Sequence, residues 1–363
     1  MKRKKAALYD PFLETMGGGE RHILAVMKVL EESGYHVSVF WNRDLRKEIS
    51  SSLNITFDSV SFITNIFTPG VSRQDRQAVL KDFDIFIYVT DGSYFFSSAA
   101  HTFVFCMVPD RSLYQMNILN RIKTRAFDYI SNSRFTQSHL NEWGIHSDVL
   151  YPYVDDDFIA MRVKTMNKDT VILSVGRFFS HLHSKKHDVS IQLFKQMKTA
   201  RPKFKDFKLV LAGGLKDEDK PYYNSLIKLA DGDPTIEFAP NISYTDLKRL
   251  YKRASIYWHM AGYGVDDTVH PERVEHFGIT PLEAMAAGCI PFCYAAGGPK
   301  EIIKDGENGF LFHDEAELMR KMDNLPAEKQ ELERLRVQGH AYVARSFSKQ
   351  VFADRVRKLF ITQ

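Results

Sequence analysis

The sequence predicts an α/β protein made of two doubly wound, Rossmann-like domains. Three observations lead to this prediction: short β-type runs alternate with amphipathic helical stretches along the whole chain, some of these runs are apolar throughout, and the alternation stops once and restarts. A repeated strand–helix order gives parallel sheets with right-handed crossovers. We expect the two parallel-sheet domains to face each other across a cleft, with ligands bound at the carboxyl ends of the strands.

The strand predictions rest on short apolar runs bounded by turn residues. Asp84–Thr90 and Val171–Val175 are mostly apolar rather than alternating, which is typical of strands covered on both faces. The predicted strands are 6–9, 35–41, 60–64, 84–90, 102–108, 129–132 and 149–151 in the first domain, and 171–175, 208–212, 235–238, 255–259, 290–294 and 309–312 in the second. Between them lie helical periods, such as the apolar stripe of Ile23, Val26, Met27 and Leu30 that Gly34 closes.

The domain boundary is placed where the composition shifts. Polar residues follow Pro152, and the alternation restarts at Thr170. The predicted domains are 1–160 and 168–346, with a C-terminal helix at 347–363 that completes the first domain.

Composition excludes several classes of protein. The 363 residues carry a formal charge of +4 and 44% hydrophobic residues, which fits an ordinary globular chain of two domains and no nucleic-acid partner. The three cysteines have no metal-ligand spacing, so a reducing compartment is expected. Because no segment approaches about 18 uncharged apolar residues, we expect a cytoplasmic protein or one at the inner face of a membrane.

The first candidate site is the glycine run Met16-Gly-Gly-Gly-Glu-Arg21, directly before a strong helix. Glycines let a ligand approach the backbone closely, and a helix start offers N–H groups to an anion. The alternative is a tight turn needed only for packing. The spacing is not that of a dinucleotide fingerprint.

The second candidate site opens the second domain. Arg177 follows the predicted strand 171–175, and Ser184-Lys-Lys186 precedes a helix that starts near Asp188. A guanidinium and an ammonium after a strand carboxyl end suit a diphosphate. The alternative is that these cations pair with surface carboxylates or are solvated.

The third candidate site is the densest motif. Glu275 and Glu283 flank a predicted helix start, with Pro281 in its first turn and Gly288 closing the helix. The N–H groups at this helix start would point towards an anion; they belong to Phe277, Gly278, Ile279 and Thr280. Two carboxylates there could accept hydrogen bonds from sugar hydroxyls.

These motifs together resemble a known family. The stretch EHFGITPLEAMAAGCIP, followed by GGPKEII and DGENGFLF, resembles the signature of the retaining nucleotide-sugar glycosyltransferases of family 4. SVGRF and KKHDVSIQLF are similar to that family's arginine and lysine positions, and the glycine run resembles its first strand–helix unit. The resemblance covers nearly the whole chain. The stretches GRFF…HSKKHD and WHMAGYGVD…HPERVEHFG most resemble a subgroup of this family that includes eukaryotic-type oligosaccharide mannosyltransferases and many bacterial envelope enzymes.

The resemblance implies a GT-B fold and a role for each matched position. Arg177 and Lys185 would neutralise the donor diphosphate, with Lys186 the alternative to Lys185. Glu283 would bind the ribose and Glu275 the donor sugar. The remaining expected donor contacts are the glycines Gly17, Gly18 and Gly19, the helix-start residues Phe277, Gly278, Ile279 and Thr280, and the loop residues Asn241 and Ile242 for the base.

The implied reaction moves a hexose from a nucleotide-diphosphate sugar to a saccharide or lipid-linked acceptor. The family implies retention by front-face attack, in which the leaving phosphate takes the acceptor proton. No cofactor and no metal are expected, since Asp155-Asp-Asp157 falls in the predicted linker and is expected to be solvated. Many relatives place a histidine beside the donor sugar in the first domain, whereas this chain has Phe105–Asp110 there. Asp91 or Asp110 could replace that histidine or be an ordinary loop acid.

Two other functions remain open at this level. A nucleotide-sugar epimerase or hydrolase could use Glu275 or His276 as its acid, and a non-catalytic subunit could bind a nucleotide-sugar without turnover. His183, His259 and His276 are interpreted as structural or loop histidines. The basic stretch 111–125 is either a solvated helix face or a peripheral contact with an anionic membrane.

Overall fold

The structure is a computed structural model that describes residues 3–181, 184–326 and 328–362. His183 therefore lies outside the described residues. The chain divides into two compact units, Met1–Tyr153 with Gln350–Gln363, and Val154–Lys349. Each unit is built around one parallel sheet, which confirms the predicted fold class of two parallel-sheet α/β domains.

The first unit has a seven-stranded sheet in the order β3-β2-β1-β4-β5-β6-β7. Its elements in chain order are β1 (Lys5–Tyr9), α1 (Gly18–Glu32), β2 (His36–Phe40), α2 (Arg46–Leu53), β3 (Ser61–Ile63), α3 (Arg73–Leu80), β4 (Ile85–Val89), β5 (His101–Cys106), α4 (Ile118–Thr124), β6 (Phe127–Ser131), α5 (Arg134–Glu142) and β7 (Ser147–Val149). All strand pairs in this sheet are parallel.

The second unit has a six-stranded sheet in the order β10-β9-β8-β11-β12-β13. Its elements are α6 (Asp156–Ile159), β8 (Asp169–Val175), α7 (His187–Ala200), β9 (Lys208–Gly213), α8 (Lys220–Ala230), β10 (Ile236–Pro240), α9 (Tyr244–Arg253), β11 (Ala254–His259), α10 (Ile279–Ala286), β12 (Ile290–Tyr294), α11 (Pro299–Ile302), β13 (Phe310–Phe312), α12 (Glu315–Asp323) and α13 (Lys329–Ser346). Because its strands are parallel, their carboxyl ends meet along one edge.

The last helix, α14 (Lys349–Phe360), packs into the core of the first unit from Gln350 onward. Phe352, Val356 and Phe360 are buried, and the Phe360 ring lies 4.5 Å from the ring of Phe103 on β5. The apolar spacing of this helix therefore buries a stripe against the sheet.

Every sequence-predicted strand is present, with bounds that shift by a few residues. The apolar run 290–294 matches β12 at both ends, because Gly288 closes the preceding helix with a φ of +76°. The prediction 149–151 is wrong in position, since the strand there is Ser147–Val149. This strand lies at the sheet edge and pairs only with β6, so its polar residues carry no apolar pattern.

No helix within the described ranges is long and apolar enough to cross a bilayer.

Candidate functional site

The candidate site of the second unit lies at the carboxyl ends of the adjacent strands β8 and β11. Lys185 lies in the loop between β8 and α7, His259 is the last residue of β11, and Glu275 lies between β11 and α10. Because β8 and β11 are neighbours in the sheet, these three side chains meet although the chain separates them widely. The sequence analysis predicted two of the three.

Glu275 is the centre of this group. Its Oε2 forms an ion pair with Lys185 Nζ, and it lies 3.2 Å from His259 Nε2. Burial opposes ionisation of Glu275, but the charge of Lys185, followed by the hydrogen-bonding contact with His259, outweighs that effect and holds the pKa of Glu275 well below its ordinary value. Burial lowers the pKa of His259, so this imidazole is neutral near pH 7. The site thus holds an ionised carboxylate beside a lysine.

The Lys185 side chain packs against the backbone of Gly176, which has no side chain of its own. A Cβ built on Gly176 would lie 2.2 Å from Lys185 Cγ, so only glycine leaves room for the lysine stem. The Gly176 carbonyl oxygen lies 3.2 Å from Nε2 of His187, whose pKa burial lowers to about 4. A Cβ on Gly213, at the end of β9, would lie 2.0 Å from the Gly176 carbonyl oxygen. The loops after β8 and β9 are therefore in close contact.

Arg177 lies beside this group on the exposed side of the loop. Its guanidinium carbon lies 4.5 Å from the ring centroid of Phe179, which is a cation–π contact. Among the residues that the structure describes, no hydrogen bond or ion pair of the Arg177 side chain is seen. Its five N–H donors thus have no acceptor among the described residues and can bind an anion.

Lys186 differs from Lys185 in conformation and contacts. It precedes α7 with a φ of +51°, in the left-handed region, and its backbone N–H donates to Ser184 Oγ. No carboxylate partner of the Lys186 side chain is seen in the described part of the chain. The contact with Glu275 thus belongs to Lys185.

The segment from Glu275 to Gly278 rests on two glycines from the loop after β12. A Cβ on Gly297 would lie 2.1 Å from the Glu275 carbonyl oxygen, and a Cβ on Gly298 would lie 2.3 Å from Phe277 Cα. The N–H of Gly298 donates to the Glu275 carbonyl at 2.8 Å. Glycines at these two positions therefore let the 297–298 backbone pack closely against the segment that carries Glu275.

Helix α10 begins directly after this segment. Gly278 has a φ of +107° and turns the chain into the helix, while Pro281 lies in the first turn as predicted. The first N–H groups of a helix have no acceptor within the helix, so those at Ile279 and Thr280 provide partial positive charge at the helix start. Phe277 is buried, which fixes this end of the segment.

Glu283 lies one turn further along α10. Its Oε2 accepts a hydrogen bond of 3.0 Å from the hydroxyl of Tyr251, which lies in the last turn of α9. Tyr251 is fully buried, and burial raises the pKa of its phenol well above the ordinary value. The tyrosine therefore stays protonated and holds the half-buried Glu283 carboxylate in one orientation.

Asn241, at the end of β10, connects the loops on that side of the sheet. Its side-chain amide donates to the Leu215 carbonyl at 2.9 Å and accepts from the Leu215 N–H at 2.7 Å. Its backbone has a φ of +53°, and its N–H donates to the Gly213 carbonyl. The side chain thus has a structural task, and Ile242 beside it is half-buried.

The glycine run of the first unit lies at the start of α1. Gly17 caps α1, and its N–H donates to Glu20 Oε2 at 2.7 Å. Gly18 has open space around it, whereas a Cβ on Gly19 would lie 2.9 Å from Met107 Sδ. A side chain at position 19 would thus displace the end of the Met107 side chain, whereas position 18 has room for one.

Asp10 is buried near this run. Burial, followed by the charge of Glu20, raises its pKa to about 7. Its Oδ1 accepts from the Phe12 N–H, and its Oδ2 makes no hydrogen bond to the described residues.

Two expectations about acidic residues are modified by the structure. Asp155 and Asp157 are not simply solvated, because Asp155 accepts a hydrogen bond from Tyr244 at 2.7 Å and Asp157 pairs with Lys248 at 2.5 Å. Both contacts join the start of the second unit to α9. Asp110, suggested as a substitute for the family histidine, caps a short turn through the Ser112 N–H.

The acid suggested for an epimerase or hydrolase also has a defined environment. His276 is buried, and its Nε2 lies 3.3 Å from the Glu272 carbonyl oxygen. Burial lowers its pKa. Within residues 3–181, 184–326 and 328–362, no group of three or more His, Cys, Asp or Glu side chains is arranged to hold a metal ion.

Sequence reasoning missed three parts of this site. His259 was interpreted as structural, although its position at a strand carboxyl end was a usable signal. Tyr251 gave no signal, because its partner Glu283 lies 32 positions away. Gly297 and Gly298 belong to the quoted motif, but only the structure shows that they support the Glu275 segment.

Comparison with known proteins places the chain in a class and then in a family. Two solved structures share its architecture: a glycosyltransferase from Rickettsia africae ESF-5 (TM-score 0.74, 16% identity, all of both chains) and Anabaena HepE in complex with UDP and glucose (TM-score 0.69, 15% identity, 99% of this chain and 100% of that one). These likenesses show the fold, which is GT-B. The family described as "Glycosyl transferases group 1" matches residues 156–341, and the chain belongs to it.

Two relatives agree with this assignment. A human GDP-Man:Man(3)GlcNAc(2)-PP-Dol alpha-1,2-mannosyltransferase is 32% identical over 255 residues, covering 63% of this chain and 48% of the relative. An alpha-1,3/1,6-mannosyltransferase ALG2 from Rhizomucor pusillus is 26% identical over 306 residues, covering 73% and 67%. The chain spans about half the length of the human relative. The resemblance to family 4 glycosyltransferases is thereby confirmed.

Proposed function

We propose that this protein is a retaining, metal-independent hexosyltransferase that uses a nucleotide-diphosphate sugar as donor. The observation that carries the proposal is the ion pair of Lys185 with Glu275, at the carboxyl edge of the sheet in the unit that the family model matches. It places a cation and a carboxylate together where open parallel sheets bind ligands. A diphosphate and a sugar need these two kinds of group.

In this proposal Arg177 and Lys185 bind the diphosphate. Arg177 offers a planar fork of donors that carries no described ion pair, and Lys185 adds a point charge. The start of α10 contributes its amides to the same anion. Glu275 accepts hydrogen bonds from hydroxyls of the donor sugar, and Glu283, oriented by Tyr251, accepts those of the ribose.

The chemical step breaks the bond between the anomeric carbon and the β-phosphate oxygen, and forms a bond from that carbon to an acceptor oxygen on the same face. The electron pair of the broken bond goes to the leaving phosphate, which also takes the acceptor proton. Negative charge therefore grows on the diphosphate, where the cations and helix amides stabilise it. One such donor contributes about 2.7–4 kcal/mol to a transition state, or roughly a hundredfold in rate and more.

The names of the relatives suggest the first substrates to test. The human and Rhizomucor proteins are named as mannosyltransferases, and the human name specifies GDP-Man and a PP-Dol-linked oligosaccharide. We propose a mannosyl donor and a lipid-linked saccharide acceptor for this chain on that basis. UDP-glucose is the second donor to test, since UDP and glucose are named for Anabaena HepE.

The experiment incubates the purified protein with GDP-mannose or UDP-glucose, with and without a pyrophosphate-linked oligosaccharide. Release of nucleoside diphosphate is measured, and the anomeric configuration of the product is read by NMR. Release that depends on the acceptor, with retention, supports the proposal, and EDTA should leave the rate unchanged.

The alternatives predict other results. Release without acceptor indicates a hydrolase, and a changed donor sugar without transfer indicates an epimerase. Thermal stabilisation by the donor without any turnover indicates a binding subunit. Absence of stabilisation by every donor overturns the assignment of Arg177 and Lys185 to a diphosphate site, since a ligand at 100 times its Kd adds about 2.7 kcal/mol.

A further inference from the structure

Helix α4 of the first unit exposes an unusual amount of apolar side chain. Ile118 is 80% exposed, Leu119 57% and Ile122 50%. Ile118 and Ile122 are one turn apart and Leu119 is adjacent to Ile118, so the three form a continuous ridge. Contiguous exposed apolar residues of this size are typical of a surface that binds a partner or a membrane.

The ridge is held outward by hydrogen bonds. Asn117 caps the helix through the Asn120 N–H at 2.9 Å, and the Asn120 side chain donates to the Gln115 carbonyl. At the other end Lys123 Nζ donates to the Tyr94 carbonyl at 3.1 Å, and Thr124 is buried. The polar face of α4 thus faces the protein, and its apolar face is left to the outside.

A concavity of about 460 Å³ adjoins the ridge. It is bordered by Arg111, Tyr114, Gln115, Arg121 and Trp143, among others. Arg121 Nε donates a hydrogen bond to the Met116 carbonyl at 2.9 Å, which orients the guanidinium. The two terminal nitrogens take no part in this hydrogen bond and can donate to a ligand. Two guanidinium groups beside an aromatic ring suit a phosphate group on an amphipathic molecule.

The charge of this segment has one sign. Residues 111–127 include four basic side chains, at 111, 121, 123 and 125, and no acidic one. The nearest acid before them, Asp110, accepts hydrogen bonds from the Ser112 N–H and hydroxyl. We call Ile118, Leu119, Ile122, Arg111, Arg121 and Arg125 together the α4 surface.

We propose that the α4 surface docks on an anionic phospholipid bilayer. The three aliphatic side chains insert among the acyl chains, and the arginines lie at the level of the phosphates, with a lipid phosphate in the concavity. Anionic headgroups attract basic residues near the membrane surface, and arginine matches phosphate with two parallel hydrogen bonds. The inference is independent of the proposed glycosyl transfer.

Charge also decides between a bilayer and a second copy of the chain. In a twofold contact the same patch is present on both sides. The α4 surface would then place arginine opposite arginine without a carboxylate in the segment to compensate. An anionic lipid surface supplies the opposite charge and the apolar phase together.

The test measures binding of the purified full chain to vesicles by flotation. Vesicles of phosphatidylglycerol and phosphatidylcholine are compared with vesicles of phosphatidylcholine alone. We expect binding to the anionic vesicles only, weakened when salt rises from 0.1 to about 1 M, where the screening length falls to roughly 3 Å. The triple variant Ile118→Ser, Leu119→Ser, Ile122→Ser should lower the affinity by about tenfold or more.

The arginines are tested separately. Arg111→Gln with Arg121→Gln should weaken anionic vesicle binding by about thirtyfold, because each basic residue near such a surface contributes roughly fivefold. The matched controls are Ile227→Ser with Val269→Ser for the exposed apolar residues, and Lys47→Gln with Lys81→Gln for the exposed cations. Both controls should bind as the wild type does.

Three outcomes would overturn the proposal. The first is absence of wild-type binding to anionic vesicles. The second is equal binding by the α4 variants and the wild type. The third is self-association of the wild type, lost in the triple serine variant and without vesicle binding, which would assign the surface to a second copy. Because every substituted side chain is exposed, we expect all variants to fold, and thermal unfolding of each variant checks this.

Discussion

Lys185 and Glu275 are 90 positions apart in the chain and form an ion pair in which the side chains are 14% and 15% exposed. The pair exists because β8 and β11 are adjacent in the sheet, although β9 and β10 lie between them in the chain. In the proposed function, the carboxylate thus holds the lysine in place before the donor diphosphate binds.

Replacing Lys185 should therefore affect turnover strongly. We expect Lys185→Gln to lower kcat/KM for the donor by a hundredfold or more, because a cation that stabilises the leaving diphosphate is lost. Lys186→Gln is the matched control and should change the rate by less than about threefold, since the Lys186 side chain has no contact with Glu275. Equal losses in both variants would contradict the assignment.

Glu275 should make the stability depend on pH in the acid range. Its folded-state pKa lies well below the ordinary value of 4.5, so folding favours the ionised form. The resulting stabilisation is present above the unfolded-state pKa and is lost as the pH falls through the folded-state pKa. We expect the free energy of unfolding, measured in urea between pH 3 and 6, to fall less steeply towards low pH in Glu275→Gln. Parallel curves for the two proteins would show that Glu275 is not held ionised.

The hydrogen bond from Tyr251 to Glu283 should matter for donor binding. Tyr251→Phe removes only the hydroxyl group. It should lower the free energy of unfolding by about 1.5–3 kcal/mol, because the lost hydrogen bond has a charged acceptor. If Glu283 binds the ribose, the Kd for nucleoside diphosphate measured by calorimetry should rise several-fold. Tyr263→Phe, on a half-buried tyrosine elsewhere in the same unit, should change neither value.

Gly298 should tolerate no side chain. Its φ of −56° is ordinary, so the cost of Gly298→Ala is steric and comes from a Cβ placed 2.3 Å from the Phe277 backbone. We expect a loss of about 3 kcal/mol in chemical denaturation, the upper part of the range for overpacked positions. Gly18→Ala, with open space around it, should unfold as the wild type does. A stable Gly298→Ala protein would mean that the 275–278 segment adjusts freely.

Asp10 should give the opposite pH dependence to Glu275. Its folded-state pKa of about 7 lies above the ordinary value of 3.8, so the folded protein holds a proton that the unfolded chain has lost. Stability from this group therefore decreases as the pH rises from about 4 to about 7. Asp10→Asn keeps the shape and the bond from the Phe12 N–H, and should remove that decrease. Unfolding curves of the two proteins that stay parallel across this range would contradict the shifted pKa.

The sequence was most informative where local composition determines structure. Val171–Val175 is mostly apolar because successive residues on both faces of its strand are buried, and Gly34 and Gly288 mark helix ends because they adopt positive φ. The prediction 149–151 placed its strand too late in the chain, because Ser147 and Asp148 lie at a sheet edge, where burial imposes no apolar pattern.

The candidate site could be predicted only as far as its motifs extend. Residues Lys185 and Glu275 were expected in one site, yet the contact with His259 depends on the order of the strands, which no local pattern encodes. Asn241 was expected at the base, whereas its side chain holds Leu215, a pairing that depends on how two loops approach each other. Tertiary packing supplied what spacing could not.

The close approach of Gly176 and Gly213 has a thermodynamic consequence for ligand capture. Together with the hydrogen bonds of Asn241 to Gly213 and Leu215, it connects the loops after β8, β9 and β10 to one another. Loops that such contacts hold in one conformation before a ligand binds lose little conformational entropy on association, so more of the interaction energy contributes to affinity. Substitutions that break these loop contacts should therefore weaken binding even where the substituted residue touches no ligand atom.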